Sequence, residues 1–194
     1  MQAEADDAHL REHCLESKAV FEGDFLKVRR DQVRLPDGGV ASREYIRHPG
    51  AVMVVPILAD GRLLLERQYR YPMGKVMLEF PAGKLDAGEA PLLCAQRELL
   101  EETGYSATHW AHAGVLHNAI AYSDEGIEVF FARGLTAGQQ SLDAGEFLEL
   151  VIHDTAELDA FAASGAITDA KTLIGLLWLT RWQRGEWALA WLPA

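Results

Sequence analysis

The chain has 194 residues, 49% of them hydrophobic, which suits one full-sized core with a small appendage and leaves no room for a second enzyme domain. Its 29 acidic residues outnumber 18 Lys and Arg, for a formal charge of −11, so nucleic acid and anionic membrane surfaces, both of which demand a positive footprint, are excluded as expected partners. An anionic small molecule would need a metal ion and local arginines to bind here.

Residues 1 to about 15 are polar and are expected to fray. They lack the cationic start and apolar run of a leader, and the longest apolar stretches, near AVMVVPILA and LIGLLWL, are too short to span a bilayer. Cys14 and Cys94 are the only cysteines. No disulfide framework or zinc pattern is expected from them, and the expectation is a soluble, cytoplasmic protein. From Lys18 to His48 the pattern is strand-like, with Pro36-Asp37-Gly38-Gly39 as the turn of the last hairpin. A three-strand unit is marginal alone. The segment 1–48 is therefore expected to pack on the remainder or on a second subunit.

Two more strands follow, AVMVVPIL and RLLLERQY, joined by Ala59-Asp60-Gly61. A period of two in the second places Glu66, Gln68 and Arg70 on one face and Arg67 and Tyr69 on the other. Arg70 is a candidate phosphate contact, against the plainer reading of a solvated edge or an ion pair with Glu66.

The stretch Gly83 to Tyr105, GKLDAGEAPLLCAQRELLEETGY, reads as a loop running into a helix from about Glu89 to Thr103. At about 100° per residue, Glu98, Glu101 and Glu102 share one face, while Leu92, Leu93, Ala95, Leu99 and Leu100 form the opposite, apolar one. Arg97 lies four residues before Glu101 and can pair with it. Three carboxylates so close resist ionising together unless a cation joins them. Oxygen donors without His or Cys favour Mg²⁺ or Mn²⁺ over zinc. A solvated acidic face is the plain alternative. However, seven positions with a background of about 6–7% each (Gly83, Glu89, Arg97, Glu98, Glu101, Glu102, Gly104) coincide on the order of once in 10⁸ placements.

Beyond Gly104, a natural helix terminator, THWAHAGVLHNA and GIEVFFARGL read as strands around the acidic loop Tyr122-Ser123-Asp124-Glu125. His112 and His117 read as strand residues, since nothing nearby calls for imidazole. A mobile loop carrying Asp143 and Glu146 leads to the strand FLELVI, followed by helices over Thr155–Ala163 and Asp169–Trp182 around Ser164-Gly165-Ala166. Four tryptophans, Trp178, Trp182, Trp187 and Trp191, cluster near the end; core packing is the commoner use of such a group, and base stacking the sharper one.

The glycine and charged positions of Gly83–Gly104 resemble the signature of the Nudix hydrolases. Tyr105 departs from it, where an aliphatic residue is usual. The order QYR, EFPAGKLDAGE, helix, YSDE and GEF is similar to the ADP-ribose pyrophosphatase branch from about Arg43 onward. This resemblance implies an α/β/α sandwich around a mixed sheet, preceded by an antiparallel β-segment in residues 1–48 that serves dimerisation, with the hydrolase domain in 49–194. It also implies a homodimer that hydrolyses ADP-ribose to AMP and ribose 5-phosphate with Mg²⁺, or Mn²⁺ in its place.

Carried over by position, Glu98 and Glu102 would be the main metal ligands, with Glu101 a supporting ligand or orienter, the Ala82 carbonyl an additional ligand, Arg97 holding the carboxylates, and Glu89 supporting the loop or a metal-bound water. Gln68 and Arg70 would touch the substrate, and Arg43 would join them, across a dimer. Ala144 fills a position where relatives place an acid, which leaves Glu146 and Asp143, and Glu146 is nominated as ligand or base. Ala119-Ile120-Ala121 stands where many ADP-ribose hydrolases carry Ser-Pro-Gly, which keeps open another nucleotide sugar such as GDP-mannose. A different class, a sensor that binds such a metabolite without cleaving it, is also open.

Overall fold

Turn chemistry and cross-strand pairing build the first unit. In the computed structural model of the chain, which describes residues 7–194, strands β1 (His13–Glu22), β2 (Lys27–Arg34) and β3 (Val40–Arg47) form a three-stranded antiparallel sheet. The predicted hairpin turn forms: the Leu35 N–H donates to the Gly39 carbonyl at 2.8 Å, and the Asp37 carboxylate accepts from the Gly39 N–H at 2.9 Å. The frayed start is corrected in part. Residues 1–6 lie outside the described residues, Asp7–Leu10 make a 3-10 turn, and β1 begins at His13, paired with Arg34. All of β1 is exposed, so no apolar alternation marks where it starts.

The segment Ala119–Glu125 belongs to this unit. The Ile46 N–H donates to the Tyr122 carbonyl at 2.9 Å, the His48 N–H donates to Asp124 Oδ1 at 2.7 Å, and Arg47 pairs with Asp124 at 2.9 Å.

The second unit contains a mixed sheet in the order β10-β5-β4-β9-β8-β11, with β6 beside β5 and β7 beside β4. Its strands are β4 (Ala51–Ile57), β5 (Leu63–Arg70), β6 (Lys75–Glu79), β7 (Ala82–Lys84), β8 (Tyr105–Leu116), β9 (Ile127–Ala137), β10 (Leu148–His153) and β11 (Leu192–Pro193). The helices are α1 (Pro91–Thr103), α2 (Thr155–Ser164) and α3 (Ala170–Gln183). Only β4 and β9 run parallel among the paired strands of this sheet.

Every residue of β4 is buried, as a strand covered on both faces must be. Met53, Val55 and Ile57 join Leu158, Leu176 and Leu179 of α2 and α3. Val52 and Val54 join Cys94, Ala95 and Leu99 of α1. The period of two thus makes the sandwich, one helix layer per face.

Two helix starts differ from the sequence reading. Pro91, with its φ already set for the first turn, begins α1 rather than Glu89. Asp169 caps α3 from outside it, accepting from the Thr172 N–H at 2.9 Å. The buried face of α1 is also narrower than the leucine spacing predicts. Cys94, Ala95 and Leu99 are buried, but Leu93 and Leu100 remain 59% and 46% exposed.

The tryptophans pack on one another and on the core. Trp182 meets Phe131 edge-on and lies 5.6 Å from Trp191, and Arg133 sits 4.1 Å over the Trp191 ring. Among the described residues no helix is long and apolar enough to cross a membrane.

Gly104 ends α1 at φ +73°, its N–H donating to the Leu100 carbonyl at 2.8 Å. A Cβ there would sit 2.7 Å from the Gln140 amide nitrogen, so both conformation and space require glycine. Gly104→Ala is expected to cost about 1–3 kcal/mol. Calorimetry should show this as a fall in melting temperature of roughly 3–10 °C; an unchanged Tm would contradict the close packing of this turn.

Candidate active site

The loop before α1 and the helix itself form one charged unit. Strand β7 pairs with β4 and carries Gly83 against α1, where a Cβ would overlap the Glu98 carboxylate. Arg97 is the hub. Its Nε and Nη2 donate to Glu89 at 3.0 and 2.9 Å, its Nη1 to Glu98 at 2.8 Å and to Glu101 at 3.1 Å, and Nη2 also reaches the Lys84 carbonyl at 3.2 Å. One guanidinium therefore fixes three carboxylates to a loop and a helix, as its planar fork allows. The same contact, with the Asp86 N–H, draws the Glu89 carboxyl down to about 2.

Glu102 is different. It is 4% exposed and accepts from the Ala82 N–H at 3.0 Å, which pins that peptide beside the carboxylate. Burial, then the charges of Glu66, Glu98 and Glu146, pushes its carboxyl well above the usual range. Glu98 is raised too, by burial first, with Arg97 opposing. These are acids held where ionisation is costly until a cation arrives.

Glu146 comes from the loop before β10. Its N–H donates to the Asp143 carbonyl at 3.0 Å, and its side chain accepts from the Asp143 N–H and from Gln68 Nε2, both at 3.4 Å. The fold thus gathers Glu98, Glu101, Glu102, Ala82, Arg97, Gln68 and Glu146 in the second unit. Arg43 lies in the first unit on β3, ion-paired with Glu12. Arg70 does not pair with Glu66. Its Nε and Nη2 hold both oxygens of Glu79, at 2.8 and 3.0 Å.

Around that pair lies a buried charged network that the sequence reading missed. Lys171, at the start of α3, donates to Glu79 and to Asp169, and the Phe80 N–H donates to Thr172 Oγ1 at 3.1 Å. Burial pushes Glu79 up, but its bonds from Arg70 and Lys171 bring it below the ordinary value. A cavity of about 370 Å³ opens beside this network, walled by Met73, Met77 and Pro72. The one signal in the sequence was acidic residues inside apolar strands, Glu66 in LLLE and Glu79 in VMLE.

Among the described residues no three His, Cys, Asp or Glu side chains already stand together as a finished metal-ligand set. Arg97 engages Glu98 and Glu101. The donor chemistry nonetheless fits a hard divalent cation. All donors are oxygens, Glu98 lies in a cradle that any Cβ at position 83 would fill, and both oxygens of the buried Glu66 lack a hydrogen-bond partner.

The family model of the NUDIX domain matches residues 47–175, and that of the nucleoside diphosphate sugar hydrolase N-terminal domain matches residues 12–46. The chain is 35% identical over 170 residues to a methanol dehydrogenase activator of Bacillus methanolicus, covering 87% of this chain and 92% of that one. It is 33% identical over 172 residues to an ADP-ribose pyrophosphatase of Bacillus subtilis, covering 88% and 93%. A crystal structure of an ADP compounds hydrolase superposes with a TM-score of 0.82 at 26% identity, over 91% of this chain and 97% of that one.

Proposed function

The chain belongs to the Nudix hydrolase family, and from that premise we propose that it cleaves the diphosphate of ADP-ribose to AMP and ribose 5-phosphate with Mg²⁺, which Mn²⁺ can replace. It is a hydrolase of the ADP-ribose and ADP-sugar pyrophosphatase type. The observation that carries the reading is the Arg97 hub, which sets Glu89, Glu98 and Glu101 around a helix whose next acid, Glu102, is buried beside Ala82.

Glu98, Glu101, Glu102 and the Ala82 carbonyl would hold the cation, with Glu146 beside them. When bound, it neutralises charge on the phosphoryl oxygens and makes water more acidic. Arg97 keeps the acids of α1 aligned at no reorganisation cost during the reaction. Glu146, on a loop braced through Asp143 and tethered to Gln68, is assigned as the base that takes a proton from the attacking water. The water oxygen bonds to phosphorus as the bridging oxygen leaves with the other phosphate. Gln68 and Arg70 are assigned to the substrate, and Arg43 to the substrate of a partner protomer across the dimer.

The proposal includes a homodimer formed through β1–β3, which expose Leu15, Val20 and Phe21. It also includes a reducing, cytoplasmic setting, in keeping with two free cysteines.

The test is a panel of ADP-ribose, GDP-mannose, NADH and diadenosine polyphosphates with Mg²⁺, with products identified. ADP-ribose is expected to show the highest kcat/KM, by about tenfold or more. A higher value for GDP-mannose would move the substrate assignment, to which the Ile120 segment contributes. Binding by calorimetry without any product would replace the enzyme with a sensor.

A further inference from the structure

Glu66 is 0% exposed on β5, directly across from Glu79 on β6 and from Leu150 on β10. Both of its carboxylate oxygens lack a hydrogen-bond partner. The donors around it are committed elsewhere: Arg70 and Lys171 to Glu79, and Gln68 to Glu146. An apolar side chain would fill a fully buried strand position at no such cost, because a carboxyl without donors loses its hydration and gains nothing back.

Both acids and bases act on Glu66, but the two bases, Arg70 and Lys171, are bonded to Glu79. Strand alternation puts Leu63 and Leu65 in the core with α2 and α3, so Glu66 points to the opposite side of β5, the side of its cross-strand neighbour Glu79. There Glu79 and, more weakly, Glu146 oppose its charge while Arg70 and Lys171 favour it, and Glu66 is the strongest charged influence on Glu102. Burial, and then Glu79, opposes its ionisation. A compact dication is the partner that satisfies two such acids at once. Magnesium usually takes one or two carboxylates and completes its shell with water and substrate phosphate, so no third side chain is required.

We propose that Glu66 is an oxygen donor to a divalent cation that it shares with Glu102, extending the donor set of the active site from α1 onto β5. This inference rests on the hydrolase reading above but makes a separate demand, that a strand residue outside the signature helix binds metal.

The test counts bound Mn²⁺ by electron paramagnetic resonance on the full chain without substrate, in wild type, Glu66→Gln, Glu66→Leu and Glu102→Gln. Both Glu66 variants are expected to lose one bound Mn²⁺ per chain or to bind it at least tenfold more weakly. Without metal they should melt at or above wild type, because the unpaired carboxylate is gone, and Mn²⁺ should raise their Tm less. Wild-type stoichiometry and affinity, within twofold, in both variants would overturn the proposal. So would failure of both to fold, which would give Glu66 a structural part. Wild-type metal binding by the Glu66 variants with ADP-ribose cleavage intact would sink this inference alone. Loss of Mn²⁺ in the Glu66 variants of a protein that cleaves no nucleotide sugar would sink the hydrolase reading and leave this one standing.

Discussion

Glu102→Gln is expected to lower kcat for Mg²⁺-dependent release of AMP from ADP-ribose by about 10³-fold while the fold stays intact. The amide keeps the shape of the carboxyl, and its oxygen still accepts from the Ala82 N–H, so the contact at 3.0 Å survives. What is lost is the negative oxygen that would face the cation, and charge stabilisation of that kind is worth several kcal/mol in the transition state. Stability should move the other way. Burial and the charges of Glu66, Glu98 and Glu146 resist ionisation of Glu102, so a neutral amide should hold or raise the Tm without metal. Steady-state assays and scanning fluorimetry on the same preparation check both halves. Turnover equal to wild type would sink the assignment of Glu102 as a metal ligand.

Arg97→Leu is expected to damage stability and activity together. Glu89, Glu98 and Glu101 lose their shared counter-charge and are left facing one another across the loop and helix. Charge-assisted bonds at a partly buried site put the loss at about 2–3 kcal/mol. For a chain of this size that is roughly 5–10 °C in Tm. Activity should fall about 10–100-fold, as for partners that orient metal ligands, with part of it recovered at high Mg²⁺. Arg97→Lys should recover less than its charge suggests, because an ammonium cannot span three carboxylates as a planar fork does.

A pH effect follows from the same contact. In wild type the folded Glu89 titrates at about 2, below its unfolded value, so its contribution is complete above about pH 4.3 and is lost as pH falls toward 2. In Arg97→Leu that acid limb should flatten, and chemical denaturation across pH 2–6 reads it. An unchanged limb would show that Arg97 is not what depresses Glu89.

How much of this could be read beforehand depends on how local each feature is. Arg97 and Glu101 are one helical turn apart, so their pairing was legible from spacing, and it forms at 3.1 Å. The two-residue period of LLLERQYR was legible for the same reason, but burial follows it only over Arg67–Arg70, where Arg67 and Tyr69 are exposed and Gln68 and Arg70 half-buried, while Leu63–Glu66 are buried on both faces. The bounds of α1 were less so, because Pro91 and not the charge pattern decides where the helix begins. Leu93 and Leu100 stay exposed although their spacing places them on the apolar face, since spacing marks a face but not how much of it a neighbour covers.

The chain's local order therefore determined the chemistry on offer: a loop glycine, an arginine hub and acids on one helix face, with hard-oxygen donors and no imidazole. Only the tertiary structure decided which acids are buried and who pairs with whom. Arg70 finds Glu79 on the next strand, Glu79 finds Lys171 at the start of a distant helix, and Glu66 is left with no donor at all. The physical reason is that the ionisation and pairing of a carboxyl depend on desolvation and on charges within a few ångströms. Those distances are set by strand register and helix packing across many residues, and no spacing along the chain encodes them.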